Sequence, residues 1–261
     1  MLAFRYVIRL LKFRLSSYLY SPFSKFKSRF IDRNGVSVLR DVAQFLEAEN
    51  IKYWLDGGTL LGVVRDNGII DGDIDIDIGV ITSDVEALYS SLVNNDFHVC
   101  YFYEDSGGSK CVIRAEKNKV GIDFEIFKRN AEGYYRDSPR PLPATVQKAS
   151  RNQLAVVRYE FDYDLVNNIV PIHFCGVRLM IPEDYDKYLT VYYSNWKVRE
   201  KLSVYTHKNF SQSVERYEHH NSSAFYKKDE FLYFSNVAPS TIKLGVGDVV
   251  EILKSFFSLR T

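Results

Sequence analysis

The chain has 261 residues, 46% of them hydrophobic, which suits one large domain or one domain with an extension. A net charge of +1 excludes both a uniformly basic nucleic-acid-binding surface and a strongly acidic chain. Three cysteines without a CxxC pair argue against a disulfide framework or a zinc site, so we expect a reducing, cytoplasmic compartment.

Residues 1–33 form a basic segment with helical periodicity. One face of such a helix is basic and polar, with Arg5, Arg9, Lys12 and Ser16. The opposite face is apolar, with Phe4, Val7, Ile8, Leu11, Leu15 and Leu19. No apolar run approaches the roughly 20 residues that cross a bilayer, and basic residues interrupt any secretory leader. Two interpretations stay open: the helix lies on the anionic inner face of a membrane, or it packs on the domain through its apolar stripe.

Residues 34–205 alternate helical and strand patterns, and we predict one catalytic domain there. The predicted elements are a helix over Val36–Ala48, a strand over Tyr53–Leu55, a short helix from Thr59 to about Val64, strands over Ile69–Ile70 and Ile74–Ile81, a helix opened by a Ser83–Glu86 capping box, a strand over His98–Tyr103, and a hairpin of Lys110–Ala115 and Val120–Lys128. This mixture predicts an α+β fold with a mixed, mostly antiparallel sheet flanked by helices.

The pattern loosens after residue 130. Pro139 and two further prolines predict a loop, Pro171–Ile181 a pair of strands, and Pro182 a helix to about Tyr193. Residues 206–261 are treated as a C-terminal extension of unknown role, with a final helix over Val249–Leu259.

Residues 71–79 read DGDIDIDIG, so aspartates alternate with apolar residues. On a strand, Asp73, Asp75 and Asp77 point to one face about 6–7 Å apart, while the isoleucines face a core. Carboxylates that close repel one another, and Mg²⁺ or Mn²⁺ removes the conflict because these ions prefer hard oxygen ligands. We predict Asp75 and Asp77 as metal ligands and Asp73 as an additional one.

Two other interpretations of the acidic run fit less well. A charged edge strand that prevents aggregation usually mixes charges or uses lysine, whereas this run is purely acidic. A calcium loop of the EF-hand type needs Gly where Ile78 stands and Glu where Asp84 stands.

A glycine turn, DGGTLLG over residues 56–62, lies between a predicted strand and a predicted helix. The backbone N–H groups of Gly57 and Gly58 and the hydroxyl group of Thr59 suit a phosphate at a helix N-terminus. Arg65 suits a pair of phosphate oxygens, or is a surface cation. We predict these four residues as substrate-binding.

A third carboxylate is expected from a neighbouring strand. Residues 121–127 read GIDFEIF, which places Asp123 and Glu125 on one face. An acid in so apolar a strand needs a partner or a metal ion. Asp123 is the predicted third catalytic residue, as metal ligand or general base, and Glu125 is the alternative ligand.

Together these stretches resemble the LicD/fukutin family of the nucleotidyltransferase superfamily. The resemblance covers roughly residues 36–200. It rests on GGTLLG at residues 57–62, Arg65, GII at 68–70, DIDI at 75–78, IDF at 122–124, and the Pro-led segment from Pro182 to Trp196.

The resemblance implies a nucleotidyltransferase-like fold and metal-dependent transfer of phosphocholine, an alditol phosphate or a similar group. The implied partners are a CDP-activated donor, which leaves CMP, and a hydroxyl group of a cell-surface glycan or lipid-linked saccharide, with no nucleic acid. Three positions depart from the family pattern: Asp71-Gly72 replaces Pro-Trp, Ile74 replaces Asp, and Ser194 replaces Gly. The first two bear on donor recognition, but both acids of the Asp-x-Asp pair remain.

Two other functions stay open at this point. A nucleotidyltransferase that moves NMP from an NTP onto a small molecule or sugar phosphate would carry the same glycine and acidic pairs, but it would release pyrophosphate. A metal-binding module without turnover would bind the ion without any nucleotide. The basic N-terminal segment favours a membrane-proximal, lipid-linked or polymeric acceptor over a soluble one.

Overall fold

The computed structural model describes residues 27–104, 110–140, 153–193, 195–199 and 225–236. Most of the basic segment over residues 1–33 and the predicted helix over residues 249–259 lie outside these ranges, so both stay predictions. In the parts of the chain that are described, no helix has the length and apolar character needed to cross a membrane.

The described residues contain five α-helices. They are α1 over residues 27–48, α2 (Gly57–Leu61), α3 (Val85–Asn94), α4 (Tyr163–Asn167) and α5 (Tyr185–Tyr192). A π-helical turn, Gly62–Asp66, follows α2 directly. Helix α1 is continuous across the predicted boundary at residue 33, while the division into domains stays a prediction.

Eleven strands are present in the same residues. They are β1 (Lys52–Leu55), β2 (Asp75–Ile81), β3 (His98–Glu104), β4 (Lys110–Lys117), β5 (Val120–Ile126), β6 (Lys128–Arg129), β7 (Gly133–Arg140), β8 (Gln153–Asp162), β9 (Ile169–Phe174), β10 (Val177–Pro182) and β11 (Phe225–Asn236). Nine of them form one sheet in the order β1-β2-β5-β4-β3-β11-β8-β7-β6, and β9 and β10 form a separate antiparallel pair.

The large sheet is mixed. Strands β2 and β5 are parallel, and the other neighbouring pairs are antiparallel. The predicted α+β fold, with a mostly antiparallel sheet flanked by helices, is confirmed at this level. Strand β11 belongs to the predicted C-terminal extension, and it lies within the sheet between β3 and β8.

Three local predictions are wrong. Ile69 and Ile70 do not form a strand. Their segment instead packs against the backbone at Gly62, where a Cβ would stand 2.6 Å from the carbonyl oxygen of Gly68. Pro139 lies in β7 rather than in a loop. It pairs with β8 on one side. On its other side β6 has already ended, so the missing backbone N–H of the proline costs no hydrogen bond between strands there.

The third error concerns the start of α3. Its N-cap is Asp84, whose side chain accepts a hydrogen bond from the backbone N–H of Ala87 at 2.8 Å. The predicted capping box placed the cap one residue earlier, at Ser83. Both residue types cap helices well, so local composition does not separate them.

The core lies on the isoleucine face of β2. Ile76 and Ile78 are fully buried, and Ile78 stands in register with Phe124 of β5. Phe97 links this face to α1, with ring centroids 6.3 Å from Phe124 and 5.1 Å from Phe45. Burying the apolar positions of β2 on one side leaves its aspartates on the other, as the alternation predicts.

A test of this packing is available at Gly79, which lies against the buried ring of Trp54. A Cβ at position 79 would stand 2.4 Å from Cε2 of the ring. We expect Gly79→Ala to lower the free energy of unfolding in urea by about 1–3 kcal/mol. In the control Gly68→Ala, the new Cβ makes an ordinary 3.7 Å contact, and the change should stay within about 0.5 kcal/mol. Equal losses in the two variants would contradict this account.

Candidate active site

The acidic side chains meet where the two parallel strands run side by side. Asp75 is in register with Gly121, Asp77 with Asp123, and Gly79 with Glu125. Residues in register on adjacent strands share a face and lie about 5 Å apart. The structure therefore brings together the three predicted catalytic carboxylates, those of Asp75, Asp77 and Asp123.

Asp73 lies just before β2, beside the glycine turn. Its Oδ1 accepts a hydrogen bond from the backbone N–H of Ile74 at 2.9 Å. Its Oδ2 is 3.1 Å from the point where a Cβ would stand on Gly58. The fourth aspartate thus flanks the same site although it is not part of the strand.

The glycine turn docks directly on Asp77. The N–H of Gly58 donates to Asp77 Oδ2 at 3.0 Å, and the N–H of Asp77 donates to Thr59 Oγ1 at 2.9 Å. Gly57 has a φ of +48°, and a Cβ there would come within 2.7 Å of Asp77 Oδ2, so both conformation and space call for glycine. The turn and the acidic strand form one unit.

The predicted substrate-binding residues of the turn differ in how far they are exposed to the adjacent cavity. Gly57 and Thr59 are buried, and their polar groups hold the turn against neighbouring chain atoms. Gly58 lines an adjacent cavity of about 530 Å³, together with Arg65 and Asp73. Direct contact of the turn with a phosphate stays a prediction, and Gly58 is the turn glycine that reaches the open space.

Arg65 reaches the same cavity but is held by Asp66. Its Nε and Nη2 donate to the two carboxylate oxygens of Asp66 at 2.9 and 2.8 Å, and Arg199 binds the same carboxylate at 3.0 Å. Tyr193 completes this side of the cavity. The predicted phosphate contact of Arg65 stays a prediction.

Arg114 on β4 is a site residue that the sequence analysis missed. Its Nη1 donates to Asp75 Oδ2 at 2.7 Å and to Asp123 Oδ2 at 2.6 Å, so one guanidinium bridges two of the three carboxylates. Gly121 makes room, because a Cβ there would stand 2.2 Å from Arg114 Nη2. The sequence carries only a weak indication of this role, namely a charged residue within an otherwise apolar part of the strand. The structure puts Arg114 in register with Asp123 and buries it.

Glu125 differs from the three aspartates in its partner. It is buried and forms an ion pair with the buried guanidinium of Arg136. Nε of Arg136 is also 3.7 Å from Asp56 Oδ2. Through Arg136, Glu125 is thus linked to Asp56 at the start of the glycine turn. Its predicted role as an alternative metal ligand stays a prediction.

Burial and mutual repulsion make these carboxyl groups hold their protons unusually tightly. Burial, then the charge of Asp75, raises the pKa of Asp73 to about 7 and that of Asp77 well above its usual value. Burial raises the pKa of Asp123 although Arg114 opposes the shift. Burial likewise raises the pKa of Glu125 to about 7 against the effect of Arg136. The two arginines oppose these pKa shifts without cancelling them.

A divalent ion fits this donor set chemically. Asp75, Asp77 and Asp123 offer hard oxygen ligands on one face, and burial together with the neighbouring acids raises the pKa values of Asp77 and Asp123. In the described ranges no three His, Cys, Asp or Glu side chains already have metal-site spacing. The acids are instead held by internal donors: Arg114 bridges Asp75 and Asp123, and Asp77 accepts from Gly58.

Comparison with known proteins shows which sequence family the site belongs to. A family model described as LicD/FKTN/FKRP, nucleotidyltransferase domain, matches residues 50–184, more than half of the chain. The chain belongs to the LicD/FKTN/FKRP family. The resemblance predicted from the motifs is thereby confirmed, and the matched segment contains the glycine turn and all three aspartates.

Individual relatives align with this LicD/FKTN/FKRP chain over short stretches. An uncharacterized protein of Rickettsia prowazekii is 49% identical over 47 residues, 18% of this chain and 18% of that protein. Ribitol 5-phosphate transferase FKRP of Homo sapiens is 36% identical over 69 residues, 25% of this chain and 14% of that protein. The chain thus spans less than a fifth of the length of each of these relatives.

The raised pKa values in this LicD-type site predict how stability depends on pH. The folded carboxyl groups release protons at higher pH than the unfolded ones, so between about pH 4 and 7 the folded state holds more protons. We therefore expect the free energy of unfolding in EDTA to fall as pH rises through this window. Asp77→Asn should flatten the dependence, because it removes one acid whose pKa is raised in the folded state by burial and by the charges of its neighbours. Urea unfolding at several pH values tests this; an unchanged slope in the variant would contradict it.

Proposed function

We propose that this protein transfers a phosphate-linked group, such as phosphocholine or an alditol phosphate, from a CDP-activated donor to a hydroxyl group of a glycan. The reaction uses Mg²⁺ or Mn²⁺ and releases CMP. One observation carries the proposal. Asp77 stands in register with Asp123 and accepts a hydrogen bond from the Gly58 amide, and all three residues lie in the segment that matches the LicD/FKTN/FKRP model.

The proposed reaction exchanges a phosphoanhydride bond of the donor for a phosphate ester bond to the acceptor. The acceptor hydroxyl oxygen forms a bond to the phosphorus of the group to be transferred. The bond from that phosphorus to the bridging oxygen of the diphosphate breaks, and CMP leaves with that oxygen. The hydroxyl proton passes to a base, for which Asp123 is our candidate, since its pKa is raised by burial.

Asp75 and Asp77 would hold the ion, with Asp123 as the third candidate. When bound, the ion would neutralise the donor diphosphate and the charge that develops on the leaving group. Gly58, whose N–H donates to Asp77, and Arg65 both line the adjacent cavity, in which we propose that the donor phosphates bind. A nucleotidyltransferase-like fold is part of the same proposal.

The product decides between the proposed reaction and nucleotidyl transfer. Purified protein with Mg²⁺, lipid-linked saccharides and a panel of CDP-linked donors should release CMP, whereas nucleotidyl transfer from an NTP releases pyrophosphate. We expect Asp77→Asn to lower the rate of CMP release at least about a hundredfold, because it removes a charged oxygen ligand. The control Asp84→Asn, at the N-cap of α3, should keep the wild-type rate. Normal rates in Asp77→Asn with saturating donor would refute the mechanism.

Arg114 offers a test that needs no donor. If Asp75 and Asp123 hold the ion, the guanidinium that bridges them competes with it. We expect Arg114→Gln to bind Mn²⁺ about tenfold more tightly in isothermal titration calorimetry, because a positive charge beside the ion is removed. Arg178→Gln, which alters an exposed pair with Glu47, is the matched control and should leave the affinity unchanged. Unchanged or weaker binding in Arg114→Gln would argue against this ligand set.

A further inference from the structure

A buried hydrogen-bonded cluster lies directly behind the glycine turn. At its centre is Asp56, which is fully buried and caps α2. Its Oδ1 accepts from the N–H of Gly57 at 2.8 Å and from the hydroxyl of Tyr188 at 2.8 Å. Its Oδ2 accepts from the hydroxyl of Tyr192 at 3.2 Å. We call Asp56, Tyr188 and Tyr192, with their partners Trp54 and Arg136, the Asp56 cluster.

Each tyrosine hydroxyl in the Asp56 cluster is held from both sides. The hydroxyl of Tyr188 accepts from Trp54 Nε1 at 2.8 Å, and the hydroxyl of Tyr192 accepts from Arg136 Nε at 2.8 Å. Burial raises the pKa of both hydroxyls, so both stay protonated and can donate to the carboxylate at neutral pH. Each hydroxyl therefore accepts from one side and donates to Asp56 on the other.

We propose that Tyr188 and Tyr192 are positioning residues, which act through Asp56 to hold Gly57 and Gly58 in the conformation that presents the turn to Asp77. Tyr188 and Tyr192 lie one turn apart on α5, so both hydroxyls reach the same carboxylate. Helix α5 thereby sets the shape of a turn more than 130 residues earlier in the chain.

The position of the turn follows from this chain of contacts. The backbone N–H of Asp56 donates to the carbonyl oxygen of Asp77 at 3.0 Å, and the next two amides donate to Asp56 Oδ1 and Asp77 Oδ2. If a hydroxyl is lost, a fully buried carboxylate loses a partner, and relief of that cost requires Asp56 or the turn to move. Any such movement changes the distance between Gly58 and Asp77.

Helix α5 lies outside the segment that the family model matches. The family match ends at residue 184, and α5 begins at Tyr185. The matched segment supplies the turn and the acids, while the donors that fix Asp56 come from the residues that follow it. The site is therefore completed by chain beyond the matched segment.

The test compares three tyrosine-to-phenylalanine variants on one helix. Tyr188→Phe and Tyr192→Phe each remove one hydroxyl and keep the ring packing, including the stacked pair of Tyr188 and Phe161. Tyr185→Phe, on the exposed side of α5, is the control. The first readout is hydrogen–deuterium exchange of a peptide over residues 56–62, well below the midpoint of thermal unfolding, with a peptide over residues 85–94 as internal reference.

We expect exchange over residues 56–62 to be about tenfold faster in Tyr188→Phe and Tyr192→Phe than in the control, with the reference peptide unchanged. Equal acceleration of both peptides would mean a general loss of stability and would overturn the proposal, as would exchange equal to that of Tyr185→Phe. The variants are made separately, so that if one does not fold the other still decides.

The catalytic consequence rests on the proposed function, and the two can fail separately. If wild-type protein releases no CMP from any donor, the proposed function falls, while exchange over residues 56–62 still decides the role of the tyrosines. If wild-type protein turns over, both variants should lose about tenfold in kcat at saturating donor while Tyr185→Phe retains it. A change confined to stability, with kcat preserved in both variants, would overturn the positioning role.

Discussion

Repulsion between neighbouring carboxylates is the constraint on which the rest of this structure depends. Asp75, Asp77 and Asp123 share one face of two adjacent strands, where burial weakens the screening that water provides. Two internal donors keep them together: the guanidinium of Arg114 bridges two of the acids, and the Gly58 amide binds the third. The arginine supplies positive charge and the amide supplies a hydrogen bond, so the three acids stay close together on one face.

The topology explains why these groups meet. The single parallel pair of the described sheet, β2 and β5, sets the two acidic strands side by side with their carboxylates in register. The antiparallel neighbours then complete the site from its two flanks. Strand β1 ends at the turn that docks on Asp77, and β4 brings Arg114 opposite Asp123. The glycine turn, the two acidic strands and Arg114 are thus brought together by four neighbouring strands of the sheet, β1, β2, β5 and β4.

The part of the site that is encoded locally could be predicted from the sequence. Alternation in DIDIDIG and GIDFEIF fixes which side chains share a face, and the glycines of residues 57–62 mark the turn. Arg114 was missed because its meaning depends on the register of β4, and Tyr188 because its partner lies 132 residues away. The segment over residues 69–70 was read as a strand because two isoleucines suit one, while its path is set by the space that Gly62 leaves. Sequence periodicity shows which side chains share a face of one strand or helix, but it does not show which strands and helices pack against one another.

The two buried arginines divide the support of the site between them. Arg114 touches the acids that face open space, whereas Arg136 lies behind them, against Glu125 and the hydroxyl of Tyr192. A guanidinium suits both places, since its planar fork donates in several fixed directions and it stays charged when buried. A lysine could neutralise one acid but could not span two at fixed geometry. Burial still raises the pKa values of Asp123 and Glu125 against these cations, so the arginines orient the cluster but offset only part of the cost of burying its carboxylates.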